Sequence, residues 1–106
     1  MNSDTNSDLL DKFTPAIDAA QILDVHGIDI ISVHLNGDLA VIHVAGDAST
    51  ARRIGNHWTV TTNTGARYHL THSLAGAQVL VILDLPGGVL YRRGDVIDLS
   101  AVGGAA

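Results

Sequence analysis

Six histidines in a chain of 106 residues invite a metal or acid–base reading, because imidazole ligates metals and changes charge near neutral pH. Spacing decides which of them can meet. His34 and His43 fall on one face of an expected hairpin, but they lie about four residues apart along it, roughly 13 Å at 3.3 Å per residue. They cannot share one ion. His57 and His69 are better placed, as diagonal neighbours on one face of a second expected hairpin. A zinc site needs three or four ligands, so an acid such as Asp84 or Asp95 would have to arrive from elsewhere. No HExxH or HxH spacing occurs, and no metal or cofactor is assigned.

The same hairpin face carries His57, Thr59, Thr61, Arg67 and His69, which makes it the candidate site for a small molecule or anion. Arg67 can grip a carboxylate or phosphate through two parallel hydrogen bonds, with threonine hydroxyls assisting. Threonine also suits any exposed strand face. A second set, Arg52 and Arg53 with Arg92 and Arg93, forms a nucleic-acid candidate if the fold brings the pairs together. Eleven acids against six bases give a net charge of −5, and that field opposes a polyanion. Stacking groups for bases are few: Phe13, Trp58, Tyr68 and Tyr91.

Catalytic signatures are missing. The chain has no cysteine, no GxSxG elbow and no glycine-rich phosphate loop. Every acid is an aspartate, and most stand where turns and helix caps want them. Arg93-Gly94-Asp95 reads as a tight turn. No catalytic residue is assigned, and an enzyme is not the expectation.

These groups need elements to hold them. Residues 1–8 read as a loose tail. Thr14-Pro15 has the form of a helix start, cap followed by proline at the first helical position, and Gly27 has the form of its stop. Asn36-Gly37 between two apolar runs predicts a type I′ hairpin, with His34 opposite Leu39, Val33 opposite Ala40 and Ile31 opposite Ile42. Gly46 to Asn56 reads as a turn and a short helix, capped by Asp47 or Ser49 and closed by Gly55. In the next hairpin, a three-residue loop at Asn63-Thr64-Gly65 pairs Trp58 with Leu70 and Val60 with Tyr68. That register gathers the aromatic and aliphatic side chains on one side. QVLVILDL reads as a central strand buried on both faces. Val89 to Leu99 reads as a last hairpin turning at Gly94-Asp95, and residues 101–106 as a second loose tail.

The fold class expected is α+β: an N-terminal helix, then a mostly antiparallel sheet of hairpins with one short intervening helix. Residues 9–100 form a single domain, as the length requires. Hydrophobic residues make up 46% and charged residues 16%, the latter well below the roughly 25% usual for soluble domains. No apolar run approaches a membrane span, and no export signal opens the chain. A cytoplasmic protein is expected. The lysine-poor, Ala/Gly/Val/Asp-rich composition points to a bacterial or phage genome.

Both faces of the first hairpin are greasy, and too little helix is available to cover them. A second copy of the chain, or another protein, is expected to bury the surplus. The interface residues expected are Ile28, Ile30, Leu39 and Val41. The functional expectation is a non-enzymatic protein-interaction module, accessory or regulatory, acting as a homodimer. The alternatives are a nucleic-acid-associated regulator and a histidine-based metal or ligand-binding domain.

Overall fold

A computed structural model describes residues 3–65, 67–85 and 91–100, with side chains from Leu10 onward. Its elements are α1 (Ser3–Val25), β1 (Ile30–Asn36), β2 (Leu39–Val44), α2 (Ala48–Ile54), β3 (His57–Thr64), β4 (Arg67–Leu74), β5 (Ala77–Asp84) and β6 (Val96–Asp98). The six strands form one sheet in the order β1-β2-β5-β4-β3-β6. All pairings are antiparallel except β2 with β5. The architecture is α+β with a mostly antiparallel sheet, as the order of elements predicts.

One side of the sheet carries the core. Ala40, Ile42 and Val44 from β2, Val79 and Val81 from β5, Leu70 and Tyr68 from β4, and Trp58 and Val60 from β3 form a single cluster. Ala16, Ala19 and Leu23 of α1 and Ala51 of α2 join the same cluster, so both helices cover the same side. Small residues on α1 let its backbone approach the sheet closely. No described element covers the other side, and β5 alternates buried and half-buried residues rather than being buried on both faces. Its central place, with strands on either side, is as expected.

Local chemistry accounts for the elements. Asp47 caps α2, with its Oδ1 accepting from Thr50 N at 3.1 Å, and Gly55 ends it by donating its N–H to Ala51 O. That bond from the Thr50 N–H holds the Asp47 carboxyl below its ordinary pKa. α1 differs from expectation: it runs through Thr14-Pro15 and back to Ser3, taking in most of the segment expected as a tail. Pro15, inside the helix, sits over the β4–β5 turn, where a Cβ on Gly76 would come within 3.4 Å of the proline's Cβ. Packing there offsets the helical hydrogen bond that proline cannot donate. The expected tail at residues 101–106 and the Val89–Leu90 start of the last hairpin lie outside the described residues.

The turns differ in detail from the sequence reading. The first hairpin turns at Gly37-Asp38, and Asn36 pairs with Leu39, Leu35 with Ala40 and His34 with Val41. Gly37 alone has a positive φ, 65°, as a II′ turn requires of its first central residue. The I′ pattern falls instead at Ala75-Gly76, both at positive φ, joining β4 directly to β5. In the second hairpin Thr64 pairs with Arg67 and Val60 with Leu70. The first hairpin is thus shifted by two residues from expectation as far as its bulge at Ile30/Ser32. The second is shifted by two up to its bulge at Val60/Thr62 and by three beyond it. A shift of two keeps each side chain on its own face, whereas the residues beyond a bulge change face.

Candidate functional site

The uncovered side of the sheet holds a trough of about 440 Å³, within the size range of small-molecule sites. It crosses five strands. β1 contributes His34 and Asn36; β2 and β5 contribute Val41 and Leu80; β4 contributes His69 and Thr71; β3 contributes Thr61 and Thr62. Arg93 completes it from the turn before β6. Val41 is only 8% exposed yet stands outside the core cluster, as a floor residue on this side should.

Two local devices aim these groups. The β3–β4 register shifts between Val60 and Thr62, a bulge that brings two successive threonines to the trough. Thr61 Oγ1 donates to His69 O at 3.1 Å, fastening the bulge to the neighbouring strand. The second device is the turn that carries Arg93. Asp95 N donates to Arg92 O at 2.9 Å, and Gly94 has φ of 92°, the conformation a type II turn demands at that position. Arg92 N donates to Asp95 Oδ2 at 2.7 Å. The turn is tied to the bulge itself, with Val60 N donating to Asp95 O and Gly94 N to Val60 O, each at 2.8 Å. Tyr91 N donates to Tyr68 Oη at 3.1 Å, and the two rings meet edge to face.

The charges around the trough are uneven. Its lining includes an arginine and two histidines but no carboxylate. Nearby aspartates are engaged elsewhere. Asp84 accepts from Arg67 Nε at 3.1 Å, Asp38 pairs with Lys12 at 2.9 Å, and Asp95 closes the turn. Asp98 accepts from the Ser100 hydroxyl and N–H, which, with His57 beside it, hold its carboxyl below the usual range. Among the described residues, no carboxylate lies within ion-pair distance of Arg93.

The candidates taken from the sequence are distributed unevenly. Of the anion set, Thr61 and His69 line the trough. Arg67 lies opposite Asp84 in the ladder, and that hydrogen bond and charge raise its pKa, so it is already partnered. His57 and His69 are not neighbours: His69 pairs with Thr62, while His57 pairs with Asp98 across the β3–β6 ladder. The two-residue shift of the hairpin, with one more residue taken up by the β3 bulge, separates them. Thr59 pairs with Thr71 further along β3. No group of three metal-ligating side chains occurs among the described residues.

The arginine pairs do not converge. Arg52 Nη1 donates to Leu99 O at 3.3 Å and Arg53 Nη2 donates to His26 O, so both serve α2 on the core side. Arg93 lies on the opposite side of the sheet.

The four expected interface residues do not form one patch. Ile28 is 5% exposed and belongs to the core. The bulge between Ile30 and Ser32 sets Ile30 opposite Val44, a core-side position. Leu39 and Val41 remain on the uncovered side. Sequence reading missed His34, Asn36, Thr62 and Leu80 as lining groups; alternation alone places His34 with Val41, but only the strand order brings β1 and β3 to one trough. Comparison with family models, with curated proteins and with solved structures returns no match.

Proposed function

We propose that the chain is a small non-enzymatic binding module, an accessory or regulatory protein of a bacterial or phage cytoplasm, that works as a homodimer joined through β1. The uncovered side of the sheet is then free for what the module binds. The observation that carries this reading is the state of the β1 edge. Among the described residues β1 pairs only with β2, which leaves one row of its backbone groups without a strand beside it. Its sequence, IISVHLN, has no Lys, Arg, Asp or Pro, the residues that blunt sheet edges against pairing. Ile31 is 58% and Val33 41% exposed. α1, which packs against this strand, adds exposed Leu10, Ile17, Ile22 and Val25. Two copies related by a two-fold axis would continue the sheet and cover these groups together. At the other edge, β6 is three residues long with a charged Asp98, and it offers little to pair with.

Light scattering tests the pairing. The wild type is expected at twice the chain mass of 11.1 kDa, and Ile31→Lys at the single mass with an unchanged circular dichroism spectrum. A wild type that stays monomeric up to its solubility limit refutes the proposal, as does an Ile31→Lys variant that remains dimeric.

A further inference from the structure

We infer that the trough on the uncovered side is a binding site for a small organic anion, a carboxylate or phosphate monoester with an apolar body. The site is complete within one chain, so the inference goes beyond the dimer and stands whether or not β1 pairs. Three observations carry it. First, the lining supplies a cation and hydrogen-bonding groups without a carboxylate: Arg93, His34, His69 and the threonines face a common space. In a chain of net charge −5, such a region attracts a negative ligand that the rest of the surface repels.

Second, the backbone that carries Arg93 is fixed before any ligand arrives. Its turn is held by two hydrogen bonds to Val60, one within the turn and one from Arg92 N to the Asp95 carboxylate. A rigid support removes the backbone's share of the ordering cost on binding. Its guanidinium has no carboxylate within ion-pair distance among the described residues, in contrast to Arg67 with Asp84. An arginine set over a pocket without a counter-charge is suited to a bidentate grip on an oxyanion.

Third, the floor is apolar. Val41 and Leu80 lie between the polar walls, and a ligand carrying a hydrocarbon or aromatic body covers them while its anionic end reaches Arg93. A bare inorganic ion leaves that floor wet. The site therefore selects an organic anion over a free one.

The test is a titration of the full chain, followed by amide NMR shifts, with phenyl phosphate, benzoate, inorganic phosphate and benzyl alcohol as probes. Phenyl phosphate and benzoate are expected to move the amides of Val41, His69, Leu80 and Arg93, more strongly than inorganic phosphate at equal concentration. Benzyl alcohol, which has the body without the charge, is expected to move them least. Arg93→Gln should weaken phenyl phosphate binding about tenfold, the usual consequence of losing a hydrogen bond to a charged group. His69→Gln should weaken it less, and Arg67→Gln, whose guanidinium lies against Asp84, should leave it unchanged. Raising the salt concentration should weaken binding of both anions. The inference fails if no probe shifts the trough amides, if Arg93→Gln binds as the wild type does, or if benzyl alcohol binds as well as phenyl phosphate. Sedimentation of the same samples reads dimerisation separately, so failure of one proposal is not mistaken for failure of the other.

Discussion

Trp58→Phe isolates what one buried side chain contributes to this sheet. Trp58 is fully buried on the core side, its Nε1 donates to Gly55 O at 2.7 Å, and its ring lies 5.2 Å from that of His72. His72 Nδ1 is itself within hydrogen-bond distance of His57 O, at 2.8 Å. Phenylalanine keeps an aromatic ring in place but removes the donor. The lost bond, with the Gly55 carbonyl left unpartnered, costs about 1–2 kcal/mol. The smaller ring leaves a void beside α2 that adds about 1–2 kcal/mol. The total of about 2–4 kcal/mol corresponds to a fall in Tm of roughly 10–25 °C for a domain of this size. Trp58 is the sole tryptophan, so urea unfolding should be followed by far-ultraviolet circular dichroism, which reads both proteins alike. A variant within about 0.5 kcal/mol of the wild type would show that the indole hydrogen bond and the packing at the α2–β3 junction contribute little.

Four further outcomes follow from the geometry. Ala75→Asn should raise stability by about 0.5–1 kcal/mol in urea unfolding, because Ala75 is held at φ 52°, where asparagine is better tolerated. Gly94→Ala should lower stability by about 1 kcal/mol, since φ there is 92°, and should weaken anion binding by displacing Arg93. Ile28→Ala should cost about 2–5 kcal/mol in the same assay, as expected of a residue only 5% exposed. Asp47→Asn should flatten the acid limb of the stability profile. The folded carboxyl is held below the ordinary 3.8, so its contribution is present above that pH and is lost as pH falls through the lower folded value. A profile with the same acid slope in both proteins would refute the capping assignment.

Side-chain alternation was legible where register was not. The sequence places Trp58, Val60, Tyr68 and Leu70 on one side, and all four are buried. The same sequence is silent on whether Val60 faces Tyr68 or Leu70, because a shift of two residues returns every side chain to its own face. The turn residues misdirect: Asn36-Gly37 has the favoured I′ form, while the I′ conformation is adopted at Ala75-Gly76. Central placement of QVLVILDL follows from its β-branched content, yet its parallel contact with β2 does not, since nothing local encodes which distant strand it meets. For the same reason Arg93 appears in sequence as one half of an arginine pair. Its place over the trough depends on hydrogen bonds to Val60, a residue far away in the chain.

The parallel contact of β2 with β5, where Val41 faces Gln78, governs the order of assembly. A ribosome delivers the amino terminus first, so the β1–β2 ribbon is complete while the strand it must join is still being synthesised. The ribbon has α1 against it, the cover a two-stranded ribbon needs in water, but closing so distant a contact as β2 with β5 is intrinsically slow. β3, β4 and β5 are consecutive neighbours and can zip locally as soon as they emerge. Capture of the first ribbon by the meander is therefore expected to come late in assembly. Until that capture, β2 presents an open edge on the side that will meet β5, and crowding of nascent chains is a condition under which such an edge invites mispairing.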